Sequence, residues 1–197
     1  MFFFRCLAVI LIVLTIGCAG RKLIILEDSN ENGQVRYSVK VKAKENIYHG
    51  IYTAWYPNGV KKLEITYNNG LKQGFETFWD AFGIKIRETN YDKGLKMGNE
   101  THWDTKGKLK RSVTFLNDNQ DGLEITYNSA GQKIKEELYS NGVKNGVEIG
   151  YDGKGRKIFE SHYLNGKKNG SETFFEFSSG TVPTTTVIRW IQGEIAP

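Results

Sequence analysis

The chain has little of what most reactive sites are made from. Only two cysteines occur, Cys6 and Cys18, both within the first eighteen residues, so a disulfide, a thiolate nucleophile and a cysteine metal site are excluded for the remaining chain. The three histidines, His49, His102 and His162, share no H-x-x-x-H or related spacing, and isolated polar residues account for them better than a metal site does. Neither G-x-x-x-x-G-K-[ST] nor a G-x-S-x-G elbow is present, and Ser112, Ser161 and Ser171 stand in no marked histidine-and-aspartate setting. Basic runs are missing as well: the formal charge of +5 is spread among interspersed acids and bases, which argues solubility and against a nucleic-acid partner. The expectation is no catalytic residue, no cofactor and no metal.

A long apolar run is also lacking. The stretch from Leu7 to Ile16 is half the roughly 20 residues that a membrane span needs, but it suits the apolar region of a secretory signal, with Arg5 before it and small residues after it. "LTIGC" resembles the lipobox of bacterial lipoproteins. Gly17 and Cys18 fit that pattern; Thr15 and Ile16 depart from it. The resemblance implies a signal peptide over 1–17, lipidation at Cys18 and a membrane anchor in the cell envelope. An ordinary cleaved signal and an uncleaved anchor are the alternatives, and on each of them the stretch stays out of the fold.

Against these absences stands one phrase written repeatedly. "YNNGLKQG" at 67–74 returns as "YDKGLKMG" at 91–98, "YSNGVKNG" at 139–146 and "YLNGKKNG" at 163–170. A reaction needs one constellation, so a phrase at fixed spacing is a unit of construction. With Gly50 as position zero, Gly74, Gly98, Gly122, Gly146 and Gly170 give an unbroken period of 24. Position nine is glycine in Gly59, Gly83, Gly107, Gly131 and Gly155. Position twenty is Gly70, Gly94, Gly142 and Gly166, with Asp118 in the third unit.

Between these turns lie short runs such as "IYTAWY" and "KKLEITY", rich in β-branched and aromatic residues. Such runs bounded by Asn-Gly and Asp clusters read as strands joined by hairpins, and the position-twenty glycines are assigned φ above zero. Helix is excluded because glycine recurs at two or three of the same positions in each complete 24-residue repeat. The fold predicted is all-β: an elongated single-layer antiparallel β-meander of 24-residue hairpin repeats.

Aromatic side chains form two columns. Position five holds Trp55, Trp79, Trp103, Tyr127, Tyr151 and Phe175; position seventeen holds Tyr67, Tyr91, Phe115, Tyr139 and Tyr163. Strand alternation puts positions one, three and five on one face and the glutamates Glu76, Glu100, Glu124, Glu148 and Glu172, at position two, on the other. The expectation is an apolar face backed by a wet one, with the glutamates solvated and paired to the lysines that recur at Lys61, Lys85, Lys133 and Lys157. The Y-x-N-G-x-x-x-G phrases together with the position-five aromatics resemble MORN repeats, in the bacterial variant called the YwqK-like antitoxin repeat family. The resemblance covers residues 50 to about 180 and implies an interaction scaffold.

The organisation expected is a signal peptide over 1–17, a lipidated N-terminus, linker and capping hairpin over 18–49, six repeats over 50–180 starting at 50, 74, 98, 122, 146 and 170, and a C-terminal cap over 181–197. A single layer cannot hide an apolar face, so the position-five column Trp55, Trp79, Trp103, Tyr127 and Tyr151 is the candidate surface for an unidentified protein partner. The function expected is a non-enzymatic envelope lipoprotein; the alternative, from the family resemblance, is an antitoxin-like or immunity protein.

Overall fold

The computed structural model describes residues 9–12, 23–29, 35–42, 47–178 and 182–196, with side chains from residue 47 onward. Every regular element among them is a strand. The chain divides into two compact units, Met1–Leu95 and Lys96–Pro197. The first holds β1 (Val9–Ile12), β2 (Leu23–Ser29), β3 (Val35–Lys42), β4 (Ile47–Trp55), β5 (Lys61–Asn68), β6 (Leu71–Trp79) and β7 (Lys85–Asp92). The second holds β8 (Leu95–Trp103), β9 (Leu109–Leu116), β10 (Asn119–Tyr127), β11 (Lys133–Ser140), β12 (Val143–Tyr151), β13 (Lys157–Leu164), β14 (Lys167–Glu176), β15 (Thr184–Ile191) and β16 (Glu194–Ile195). Within each unit, successive strands pair antiparallel in chain order as a single-layer meander. Strand β1 lies inside the segment read as a leader and pairs with β2; Cys6 and Cys18 lie outside the described residues.

Two kinds of turn alternate. At Asn69–Gly70, Lys93–Gly94, Asn141–Gly142 and Asn165–Gly166 both residues have positive φ, near 50° then 80–90°, the type I′ geometry whose twist matches that of its strands. Each glycine N–H also donates to a carbonyl one repeat earlier, as from Gly94 to Lys72 and from Gly166 to Lys144, both at 2.8 Å. Asn117 and Asp118 keep the same turn at φ 50° and 67°. Asp118 lengthens the backbone bond to Lys96 to 3.2 Å, but its own carboxylate accepts from the Lys96 N–H at 2.7 Å. The other turn opens at position six. There Asp80 accepts from the N–H groups of Phe82 and Ile84, and Asp104, Asn128 and Asp152 repeat the pattern, a side chain standing in for a backbone turn.

The expectation of one apolar and one wet face is corrected. Only two apolar side chains, Ile65 and Val113, are buried among the described residues, whereas Glu76, Glu100, Glu124, Glu137 and Glu172 are 5–7% exposed. At position one, meant for the apolar face, Phe75 is 59% and Ile51 53% exposed. The strand parity read from the sequence is retained: position two pairs with position fifteen in one row, as Tyr52 with Ile65 and Ile65 with Glu76, and position one pairs with position sixteen on the opposite face, as Phe75 with Asn90. A sheet without a second layer buries only what its own long side chains can cover, and here lysines and rings lie over the carboxylates.

The end of the array is longer than its spacing indicated. Strand β15 completes the unit that starts at Gly170. Trp190 pairs with Gly170, as Tyr67 pairs with Gly50 in the first unit, and Gln192–Gly193 at φ 57° and 94° supplies the two-residue turn. Three residues inserted between β14 and β15 displaced these landmarks, so the segment assigned to a cap contains the second strand of the sixth repeat, followed by β16.

Candidate functional site: the two faces of the repeat sheet

One face is a ladder of lysine, glutamate and ring. The lysine inside the repeated phrase reaches the glutamate four residues on, Lys72 to Glu76 and Lys96 to Glu100 at 2.5 Å, Lys144 to Glu148 at 2.6 Å, and Lys168 to Glu172. The same ammonium lies over the next position-seventeen ring, 4.7 Å from the Tyr91 centroid for Lys72, 4.5 Å from Phe115 for Lys96 and 4.1 Å from Tyr163 for Lys144. Trp190 takes this place for Lys168 at 4.7 Å and donates from Nε1 to Glu172 at 2.9 Å. The ring shields the ion pair from water and is itself attracted to the cation. Sequence reasoning missed these lysines, although they stand within the repeated phrase.

Charge density on this face peaks in the second unit. Glu124, Glu137 and Glu148 oppose one another in turn across β10, β11 and β12, an arrangement that like charges disfavour. Arg111 and Gln120 bind Glu124, Lys135 binds Glu137, and Lys144 bridges Glu137 and Glu148 at 2.7 and 2.6 Å. Burial raises the pKa of Glu124 and Glu137, but these hydrogen bonds outweigh it and hold both carboxyls below their ordinary value. For Lys144, burial works downward and is outweighed by its two carboxylate bonds, so the ammonium is held charged above its ordinary range.

The opposite face repeats the device with other residues. Lys61, Lys85, Lys133 and Lys157 pair with Glu64, Glu88, Glu136 and Glu160 at 2.5–2.7 Å, not with the position-two glutamates to which the sequence reading joined them. The position-five rings close this ladder: Lys61 lies 5.3 Å from the Trp79 ring centre, Lys133 lies 4.4 Å from that of Tyr151, and the Tyr151 hydroxyl donates to Glu136 at 2.6 Å. Trp55, Trp79, Trp103, Tyr127 and Tyr151 each end a strand, and all five are half-buried. On this face β4 and β6 expose the position-one side chains Ile51 and Phe75, one repeat apart.

One constellation on this face has the residue types of a nucleophilic site. His162 Nδ1 lies 2.9 Å from the Ser171 carbonyl and 3.3 Å from Ser171 Oγ, with Glu160 3.8 Å from Nε2. The bond to the carbonyl requires a proton on Nδ1, so this nitrogen cannot also take the hydroxyl proton, as a general base must. The sequence had left Ser171 without a histidine; the fold supplies one in an orientation that positions the strand and does not activate the serine. Among the described residues no group of three or more His, Cys, Asp or Glu has metal-site geometry.

A single-layer meander that repeats the same turns at a fixed period, and the same ladders in most of its repeats, is a β-repeat scaffold. Residues 48–69 match the MORN repeat variant family, so the first unit carries a repeat of that kind. No curated protein matches the chain.

Proposed function

We propose that this chain is a non-enzymatic envelope lipoprotein, acylated at Cys18, whose sheet binds another protein through the face that carries Trp79. The observation behind the binding surface is the exposure of Phe75 and Ile51 on the same face as the half-buried position-five rings of β4 and β6. Aromatic and aliphatic side chains exposed on a rigid β-surface are what an interface core is built from. Tryptophan occupies position five in the first three units, and its apolar area and N–H donor suit it to an interface hot spot. In the mature protein proposed here, the leader is removed before Cys18 and the sheet begins at β2.

Labelled fatty acid is expected on the chain and absent from Cys18→Ser; an unlipidated protein free in solution overturns the anchor. For the binding surface, partners cross-linked in envelope extracts are compared between the parent and Phe75→Ser. Loss of a specific partner with unchanged thermal stability supports the reading, and an identical partner profile overturns it. A toxic effector as that partner would identify an immunity protein.

A further inference from the structure

The sixth repeat departs from the others where position one meets position sixteen. In the earlier repeats that pair is Ile51 with Thr66, Phe75 with Asn90, Asn99 with Thr114, Leu123 with Leu138 and Val147 with His162. In the sixth, Ser171 stands directly opposite Arg189, so a hydroxyl and a guanidinium share one face with their Cβ atoms about 5 Å apart. An open cavity of about 670 Å3 lies at this pair, and Asn169, Gly170 and Ile191 line it as well. Gly170 borders the space without filling it. We propose that this cavity binds a sugar phosphate, with the phosphate on Arg189 and Ser171 and the sugar on neighbouring amides.

The donors around the cavity are uncommitted. The Arg189 guanidinium has no hydrogen-bond or ion-pair partner among the described residues, whereas Lys144, Lys157 and Lys168 in the same unit are each paired to a glutamate. Asn169 Oδ1 accepts from the Gln192 N–H at 3.3 Å, which leaves the amide NH2 of Asn169 to donate. His162 Nδ1 spends its proton on the Ser171 carbonyl, so the Ser171 hydroxyl keeps its own proton for a ligand.

This donor set selects the ligand. A guanidinium fork takes two oxygens of an oxoanion; a carboxylate is used up by the fork, whereas a phosphate has a further oxygen for the Ser171 hydroxyl. The cavity is larger than a phosphate fills and has the size of a small-molecule site. A second cavity of about 120 Å3 shares Asn169 and adds Asn165, Lys167 and Gln192. Amides both donate and accept, as the hydroxyls of a sugar require, which favours a sugar over an acyl chain as the group that carries the phosphate. Two acids stand near. Glu160, beyond His162, is paired with Lys157. Glu194 lies opposite Ile191 and so on the face of Arg189, but it neither lines the cavity nor pairs with Arg189.

The test is the phosphorus NMR line width of glucose 1-phosphate titrated with the full-length chain in mild detergent, beside inorganic phosphate. The parent is expected to broaden the line and to bind glucose 1-phosphate more tightly than inorganic phosphate. Arg189→Met, at an exposed side chain, should weaken binding about tenfold or more with an unchanged melting temperature. Ser171→Ala should weaken it less, and Glu194→Gln should tighten it by removing the opposing charge. Lys154→Met, at another exposed cation of the second unit, should leave it unchanged. No broadening by the parent overturns the proposal. So does a loss in Lys154→Met equal to that in Arg189→Met, which marks diffuse charge attraction, and so does inorganic phosphate binding as tightly as glucose 1-phosphate, which removes the sugar.

Discussion

Replacing Lys144 by methionine tests whether the ion-pair ladder holds the sheet together. The ammonium is 18% exposed, and its partners Glu137 and Glu148 are 8% and 13% exposed at the side chain. Breaking a buried pair by removing one member costs about 3–5 kcal/mol. Glu137 retains Lys135 at 2.8 Å, so the uncompensated charge falls on Glu148, and neither carboxylate is fully cut off from water. Methionine keeps much of the stem packing over Tyr163 but loses the cation–π contact, about 1 kcal/mol. The expected cost is about 2–3 kcal/mol, read from urea midpoints at unchanged m-value. Lys61→Met is the matched control, since it breaks a pair exposed by about 40% on each side, where about 0–1 kcal/mol is at stake. The difference between parent and Lys144→Met should narrow as pH falls below the ordinary carboxyl value of 4.5 and through the lower folded-state value of Glu137, where protonation ends the pairing in the parent as well. A Lys144→Met cost no larger than that of Lys61→Met, or one independent of pH, refutes the reasoning.

Other outcomes follow from single positions. At Gly142, φ is 80° and an added Cβ meets nothing within 4 Å, so Gly142→Ala should cost the backbone penalty alone, about 1–2 kcal/mol in thermal unfolding. Gly150 pairs with Phe159, whose ring lies 2.1 Å from an added Cβ, so Gly150→Ala should cost about 1–3 kcal/mol from overpacking. Adding Phe159→Leu should recover part of it, because the first unit sets Ala54 against Leu63 at the same pair. Asp118→Ala should destabilise more than Asp118→Gly, since alanine loses the bond to Lys96 and keeps the positive-φ strain; equal losses mean that the turn has rearranged. Glu124, Glu137 and Glu172 all have lowered folded-state pKa values. The stability they contribute is therefore complete above their unfolded value near 4.5 and lost as pH falls through the lower folded values, so acid titration of the melting temperature should drop there.

The period, the absence of helix and the hairpin meander were legible in the sequence because they rest on local demands. A two-residue I′ turn needs positive φ twice, and Asn-Gly meets that demand wherever the chain places it; strand parity needs only a count of two. Which face is covered was not legible. In a single layer, burial depends on which long side chains lie across the neighbouring strands, and Lys72 reaches Tyr91 across the β6–β7 pairing that sets Tyr91 opposite Gly74. The same holds for Ser171 and His162, nine residues apart in the chain and joined by strand pairing, and for the sixth repeat, whose three inserted residues hid Trp190 from a fixed count. Local backbone chemistry decided the unit of construction; contacts between successive strands decided that glutamates lie under rings while Phe75 faces the solvent.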